Sequence, residues 1–264
     1  EISYLRLTTQ DFSHFSNSFM SKFNRINTLI GWLVFAVAMV TYVLTVERTA
    51  SFWDCGEFIA CSYKLQVPHP PGAPLFLLIG RLFSMLALGD VTQVAYWINM
   101  VSVLSSAFTI LFLFWSITLL ARKIVGKKDE DLDLGEIIAV VGSGLVGALA
   151  YTYSDSFWFS AVEAEVYGLS SFFTAIVIWA VLKWERIEDE AEGNRWLIFT
   201  FYLIGLSIGV HLLNLVTLPA LALVYYFKKH KPSFWSGVLA FVGGLVVLMI
   251  INSGVIVWLP SMAG

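Results

Sequence analysis

Two carboxylates, Asp54 and Glu57, stand three residues apart in the stretch Thr49–Ala60. Residues at this spacing lie on one face of a helix, so a helical segment would present both carboxylates together. Their neighbours are aromatic or apolar, and burial among such neighbours raises the pKa of a carboxyl group. We therefore expect a general base here, partly shielded from water. The alternative is an interfacial helix whose acids face water.

A histidine follows in a proline-rich loop. His69 lies in Leu65–Pro74, which contains four prolines and Gly72. Prolines fix a rigid, non-helical path, and a rigid loop is a good mount for a functional side chain. The alternative is that the prolines only redirect the chain and that His69 is a bystander.

More ionisable side chains occur further along the chain. Glu163 and Glu165 are two apart and share a face only in an extended segment; the alternative is a solvated acidic cap at a helix N-terminus. His211 lies between two short apolar stretches. A histidine within a membrane is a functional candidate, and the alternative is a packed, hydrogen-bonded structural residue.

Cations accompany these acids. Lys64 follows the first pair of carboxylates, and Arg81 interrupts the apolar stretch Pro74–Leu88. A lone arginine facing lipid is unfavourable, so we expect a re-entrant or interfacial helix with Arg81 facing the site. Carboxylates beside cations indicate a reaction that activates a hydroxyl and releases an anion.

Other chemistries have weaker support. We find no Ser-His-Asp motif, P-loop or zinc spacing, and we expect neither a cofactor nor a metal, although Cys55, Cys61 and His69 could in principle bind one. A six-residue helical spacing places the two thiols about 9 Å apart, so we expect them to be free. An ion- or proton-coupled transporter is the competing function. It predicts acids within the helix centres, which here are almost free of them.

Composition places these residues in a membrane protein. The 264 residues are 58% hydrophobic and only 13% charged, against about 25% charged in soluble domains. The net charge of -3 without a basic block excludes a nucleic-acid partner. The sequence predicts an all-α polytopic bundle with about seven crossings. They are Leu29–Val46, Val94–Leu120, Ile137–Tyr153, Leu169–Trp184, Trp196–Val210, Leu213–Phe227 and Phe234–Leu259.

The positive-inside rule orients these crossings. All but three of the 16 lysines and arginines fall in segments predicted to be cytoplasmic; the exceptions are Arg48, Lys64 and Arg81. The predicted outer loops are then Glu47–Gln93, Ser154–Gly168 and the His211 turn, so the chemistry lies on the non-cytoplasmic side. We divide the chain into a cytoplasmic segment, 1–26, and a membrane domain, 27–264. Residues 1–19 are polar and irregular and predict no regular structure. Met20 resembles a natural translation start.

Two segments carry a family resemblance. FWDCGEFIACSYKLQVPHPPGAPLFLLIGRLF (Phe52–Phe83) and SFWFSAVEAEVYGLSSFF (Ser156–Phe173) resemble the membrane domain of glycosyltransferase family 117. That family is common in Bacteroidetes-type bacteria and includes a eukaryotic transmembrane protein O-mannosyltransferase. Its members are usually longer, so the resemblance implies a C-terminally incomplete domain.

The resemblance implies a GT-C-type enzyme in a membrane, most simply a bacterial inner membrane with a periplasmic site. Such enzymes move a sugar from a polyprenyl-phosphate donor to a protein hydroxyl, and the resemblance implies mannose as the candidate sugar. An acid of the first outer loop serves as base, which matches Asp54, with Glu57 as the other candidate. We assign binding of the donor phosphate or of the substrate to six residues: His69, Arg81, Lys64, Glu163, Glu165 and His211. Arg81 would act with His69 or His211; its alternative is an ion pair with Glu57.

Overall fold

The computed structural model describes residues 21–231, 233–258 and 261–262. The predictions for residues 1–19 and for a start at Met20 lie outside these ranges. Within them the protein is helical and no β-strand occurs. The α-helices are α1 Lys22–Thr45, α2 Cys55–Lys64, α3 Pro74–Ser84, α4 Val94–Val125, α5 Leu134–Thr152, α6 Asp155–Ala161, α7 Val166–Arg186, α8 Glu190–Ile208, α9 Leu218–Lys229 and α10 Phe234–Ile250. Short 3-10 helices cover Met85–Ala87, Val91–Gln93 and Leu212–Thr217, and a π-helix, Ile251–Trp258, extends α10.

Five of these helices are long and apolar enough to cross a membrane: α1, α4, α5, α7 and α10 with its π-helical extension. The all-α, polytopic membrane fold is therefore confirmed. The two other predicted crossings are also helical, but they fall outside this set. The 12 residues of α9 span about 18 Å, against roughly 30 Å of bilayer core. The count of seven stays a prediction. If α8 and α9 both cross the membrane, they return the chain to the side from which it started. The orientation of α10 is therefore the same with five crossings as with seven.

Helix α4 is the centre of the bundle. It packs against α1, α5 and α7, and more of it is buried than of any other candidate span. Two of its hydroxyls bond to carbonyls of the same helix: Ser105 donates to the carbonyl of Val101 at 2.7 Å, and Thr109 to that of Ser105 at 2.9 Å. Such bonds satisfy polar groups where no water reaches them. The long apolar run of α4 therefore tolerates several polar residues.

The connections at one end of the bundle contain helices of their own. Helices α2 and α3 lie between α1 and α4 and pack on each other and on α4, and α6 lies between α5 and α7. The segment between α1 and α4, which the sequence predicts to be the first outer loop, is thus helical, as predicted. At Gly80 of α3, an added Cβ would lie 2.5 Å from the Ser62 hydroxyl, so the absence of a side chain permits this packing. We call this end of the bundle the loop face.

The opposite end is held by ion pairs. Asp129 pairs with Arg122 of α4 and, at 3.3 Å, with Arg186 of α7. Lys127 pairs with Glu136 at 2.6 Å, and Asp133 forms a capping box with Glu136 at the start of α5. These mixed-charge connectors join the helix ends, which is a structural role.

Candidate active site

Asn99 of α4 ties the start of the first loop to the bundle. Its Nδ2 donates to the carbonyl oxygens of Glu47 at 2.7 Å and Thr49 at 3.2 Å, and its Oδ1 accepts from the Cys55 thiol at 3.8 Å. Asn99 is fully buried, where an unpaired amide would be costly. Sequence reasoning missed this residue, although a lone asparagine within an apolar run is a signal that could have found it. Both cysteines are free, as predicted, and both are buried.

Asp54 and Glu57 converge on His69. Asp54 is the N-cap residue of α2, and Glu57 lies in its first turn. One oxygen of Glu57 accepts from the backbone N–H of His69 at 2.7 Å, and the other lies 2.8 Å from Nδ1. Asp54 Oδ2 lies 3.9 Å from Nε2 on the other side of the ring. The proline-rich loop therefore holds His69 between the two acids.

These contacts overturn part of the expected electrostatics. The hydrogen bonds from His69 stabilise the charged carboxylate and hold the pKa of Glu57 below its usual value. The same side-chain bond raises the pKa of His69. The expected increase in the pKa of Glu57 is therefore wrong. Shielding from water is also less than expected, because the side chains of Asp54 and His69 are 53% and 48% exposed, and Phe52 and Trp53 are exposed as well.

Glu163 and Glu165 lie buried between α6 and α7, only 2% and 5% exposed. The solvated-cap alternative is therefore wrong: Glu165 occupies the N-cap position of α7, but its side chain makes no capping hydrogen bond. Burial raises the pKa of both carboxyl groups. For Glu165, the charge of Glu163 adds to this effect, while the backbone N–H of Asp54 opposes it. Glu165 Oε1 has no hydrogen-bond partner among the described residues.

His211 lies in the turn between α8 and the 3-10 helix Leu212–Thr217. Its Nδ1 accepts from the backbone N–H of Leu213 at 3.1 Å and so caps the 3-10 helix. Burial lowers the pKa of His211, which favours a neutral ring. With Nδ1 as an acceptor, the ring proton is on Nε2. The ring centroid lies 5.6 Å from that of Tyr167. His211 is thus both a structural cap and a neighbour of the second loop.

Two backbone hydrogen bonds bring the three loops together. Glu47 N–H donates to the carbonyl of Val162 at 3.0 Å, which joins the first loop to the second. Leu75 N–H, at the start of α3, donates to the carbonyl of Gly209 at 2.7 Å, which joins the first loop to the His211 turn. The loops converge because main-chain groups far apart in sequence pair with each other.

A cleft of about 60 Å³ opens where these loops meet. Its ionisable and aromatic lining residues include Asp54, His69, Glu165, Tyr167 and His211. Four predicted site residues thus share one cleft, and Glu57 holds His69 in place. Glu163 is not among its lining residues.

The two predicted cations lie elsewhere. Arg81 donates to the backbone carbonyl of Tyr63 at 2.8 Å, and its guanidinium lies 5.4 Å from the centre of the Tyr63 ring. Lys64 lies 5.0 Å from the same ring. Tyr63 is near the C-terminal end of α2, roughly 13 Å along the axis from Asp54 at 1.5 Å per residue. The structure brings neither cation into the cleft. Glu57 pairs with His69 and not with Arg81.

Fold and cleft together define a polytopic, all-α integral membrane protein with a polar cleft at one face of its bundle. Residues 54–234 match the family model described as the protein O-mannosyl-transferase TMEM260 N-terminal domain. The match covers more than half of the chain, and the chain belongs to this family. The matched range contains every candidate site residue named above. The resemblance to the glycosyltransferase family that includes a eukaryotic O-mannosyltransferase is confirmed.

Two curated relatives carry the same description. The protein O-mannosyl-transferase tmem260 of Dictyostelium discoideum is 24% identical over 200 residues, covering 74% of this chain and 22% of the relative. The protein O-mannosyl-transferase TMEM260 of Mus musculus is 26% identical over 175 residues, covering 66% of this chain and 22% of the relative. The chain thus spans about a fifth of the length of these relatives. No solved structure matches it.

Proposed function

We propose that this chain is the membrane catalytic domain of a protein O-mannosyltransferase. It moves mannose from a polyprenyl-phosphate donor to a serine or threonine hydroxyl of a protein, in the cleft at the loop face. The observation that supports this most strongly is the meeting of Asp54, His69, Glu165 and His211 in one cleft, in a chain whose relatives are named O-mannosyl-transferases.

The proposed step is a simple displacement. The acceptor hydroxyl loses its proton to a carboxylate, and its oxygen forms a bond to the anomeric carbon of the sugar. The bond between that carbon and the phosphate oxygen breaks, and the polyprenyl phosphate leaves with the electron pair. Such a step needs a base near the hydroxyl and stabilisation of the departing charge.

Asp54 suits the base better than Glu57 does. Both oxygens of Glu57 face donors of His69, and bonds to the charged form make a carboxylate a weaker base. Asp54 lines the cleft and is half exposed, and its nearest ionic contact is the 3.9 Å approach to His69. We therefore assign proton abstraction to Asp54 and the positioning of His69 to Glu57. The Nε2–H of His211 is a donor for a sugar or phosphate oxygen.

The lipid of the donor has a groove beside the cleft. A largely apolar cavity of about 660 Å³ lies between α4, α5, α7 and the 3-10 helix Leu212–Thr217. Leu213 and Val216 line this groove, and His211, which caps the same 3-10 helix, lines the cleft. A polyprenyl chain in the groove would therefore present its phosphate near His211.

The side of the membrane follows from charge. The loop face carries only Arg48, Lys64 and Arg81 of the chain's basic residues in the predicted topology, so we place it on the non-cytoplasmic side. In a bacterial inner membrane this is the periplasmic face; the two relatives above are eukaryotic.

The transporter alternative has less support. In the described residues, the acids of the candidate spans lie in their end turns, as Glu136 of α5 and Glu185 of α7 do. A proton or ion path would need ionisable groups through the helix centres.

The test is transfer itself. Membranes containing the protein are incubated with radiolabelled polyprenyl-phosphate mannose and a protein acceptor, and label in protein is counted. Polyprenyl-phosphate glucose and a mannose nucleotide serve as competing donors. Transfer from the lipid-linked mannose is expected. Transfer from the mannose nucleotide but not from the lipid-linked mannose would contradict the proposal. So would the absence of transfer from any of the donors.

A further inference from the structure

We propose that the end of the bundle opposite the loop face carries a second site, which binds the headgroup phosphate of an anionic phospholipid through Lys183 and Arg186. The site is a cavity of about 340 Å³ between α1, α4 and α7, within the roughly 300–1,000 Å³ that small-molecule sites occupy. It lies beside the mixed-charge connectors, so the inference does not depend on the reaction proposed for the cleft.

Three side chains of α7 line the cavity along one stripe. Trp179, Lys183 and Arg186 are spaced four and three residues apart, which places them on one face of the helix. Arg186 is the last residue of α7, and Trp179 lies about two turns further into the span. The stripe thus passes from an aromatic ring to two cations at the helix end. A lipid presents its acyl chains and its headgroup in the same order.

The other walls of the cavity fit a headgroup. Helix α4 contributes Trp115, and helix α1 contributes the polar side chains of Asn24, Asn27 and Thr28. The indole N–H of Trp115 donates to the backbone carbonyl of Asn27 at 3.4 Å, and its ring centre lies 6.0 Å from that of Trp179. Because α1 and α7 both pack on α4, the cavity is a gap between α1 and α7 with α4 as its floor. It offers polar groups beside aromatic surface.

Lys183 is the residue that points to an anion. It is half-buried, and among the described residues it forms no hydrogen bond or ion pair; its ammonium lies 5.8 Å from the centre of the Trp179 ring. Asp129 attracts it only from beyond ion-pair distance, and the oxygens of Asp129 already accept from two arginines and an asparagine. A charged group without a partner is costly in a membrane span. An anion in the cavity gives Lys183 the partner that it lacks.

The charges favour an anionic headgroup over a zwitterionic one. The described residues that line the cavity include two cations and no acid. Arg186 uses Nη2 for Asp129 at 3.3 Å, its side chain is 38% exposed, and its guanidinium has further N–H donors. The ammonium of a zwitterionic headgroup would add a third cation beside Lys183 and Arg186. Basic pockets between membrane helices bind anionic headgroups for the same reason.

The experiment measures lipid binding directly. The purified, delipidated protein in a neutral detergent is titrated with phosphatidylglycerol or with phosphatidylcholine, and bound lipid is counted by native mass spectrometry. We expect saturable binding of about one phosphatidylglycerol per chain, with phosphatidylcholine about fivefold weaker or more. Lys183→Met and Arg186→Gln should each weaken phosphatidylglycerol binding about fivefold or more, the usual contribution of one basic residue to binding an anionic lipid.

Two further variants are controls. Lys128→Gln removes the same charge from an exposed lysine at the same end of the bundle that does not line the cavity, and Lys183→Arg keeps the charge. Both should bind phosphatidylglycerol as the parent does. Because Lys183 has no hydrogen bond to lose among the described residues, Lys183→Met should unfold without lipid at no lower temperature than the parent. It should lose only the rise in unfolding temperature that phosphatidylglycerol gives the parent.

Four results would overturn the site. Equal phosphatidylglycerol binding by Lys183→Met, Lys128→Gln and the parent would show that water alone satisfies the ammonium. Equal binding of the two lipids would reject selection for an anionic headgroup. Stabilisation by inorganic phosphate as large as that by phosphatidylglycerol would assign the cavity to a soluble anion. Loss of folding by Lys183→Met would make Lys183 structural; Arg186→Gln then carries the binding test, since Asp129 keeps its pair with Arg122.

Discussion

His69 Nδ1 lies 2.8 Å from one oxygen of Glu57, and the backbone N–H of His69 lies 2.7 Å from the other. One carboxylate therefore holds both the ring and the main chain of the histidine. Restraint at two points reduces the conformational freedom that His69 would otherwise lose when a ligand binds. The site is thus preorganised on an exposed loop, where side chains are usually mobile.

Replacing the proposed base should slow the reaction strongly. Asp54→Asn keeps the size of the side chain but removes its basic oxygen, so mannose transfer should fall about 10²–10⁴-fold. Expression should be normal, because the side chain is half exposed. Asp155→Asn, an exposed acid of α6 that does not line the cleft, is the matched control and should transfer normally. Near-normal transfer by Asp54→Asn would assign the base to another residue.

Glu57→Gln should be milder than Asp54→Asn for transfer. Glutamine retains an oxygen that accepts from the backbone N–H of His69 but loses the charge that holds the ring. We expect a smaller decrease in turnover, together with faster proteolysis of the loop Leu65–Ala73, measured in nanodiscs. If Glu57→Gln slows transfer more than Asp54→Asn does, the roles of the two acids are exchanged.

Removal of the Asn99 side chain should destabilise the protein. Asn99→Ala leaves the carbonyls of Glu47 and Thr49 without this donor, and a buried polar group left unpaired costs about 1–3 kcal/mol. The unfolding temperature in detergent should fall accordingly. The control is Ser105→Ala on the same helix, whose hydroxyl bonds to a carbonyl of its own helix and whose loss should matter less. Equal stabilities of the two variants would show that Asn99 does not anchor the loop.

Arg81 should prove structural. Its guanidinium bonds to the carbonyl at Tyr63, and a hydrogen bond to a charged group contributes about 1.5–3 kcal/mol. Arg81→Ala should therefore lower the unfolding temperature and leave the KM for the lipid donor nearly unchanged. Lys64→Ala, at an exposed cation beside the same ring, is the control and should change neither. A raised donor KM at unchanged stability would return Arg81 to the phosphate site.

Orientation can be read by labelling. Gln66 and Lys127 are both exposed and lie at opposite ends of the bundle, and the native thiols are buried. A cysteine placed at position 66 should react with an impermeant maleimide from the outside only, and one at position 127 from the inside only. The buried Cys55 and Cys61 should add little background. Reversed labelling would place the cleft on the cytoplasmic side.

The sequence by itself determined the class of protein and indicated the region of the candidate site. Hydropathy predicts the five candidate spans because transfer of each apolar segment into lipid is a local property of that segment. The spacing of Asp54 and Glu57 predicts that they share a face, because helix geometry depends only on neighbouring residues. The proline-rich setting of His69 indicates a rigid mount for the same reason. Family membership could also be recognised from the segments Phe52–Phe83 and Ser156–Phe173.

Only the tertiary structure decided the partners. Glu57 meets His69 and not Arg81, and Glu165 is buried in the cleft and not a solvated cap. These outcomes depend on long-range contacts, such as Asn99 with Glu47, which bring together segments of the chain that local periodicity cannot relate. A pKa follows from the partners that a group meets and from its burial, so its direction could not be read from neighbouring residues alone.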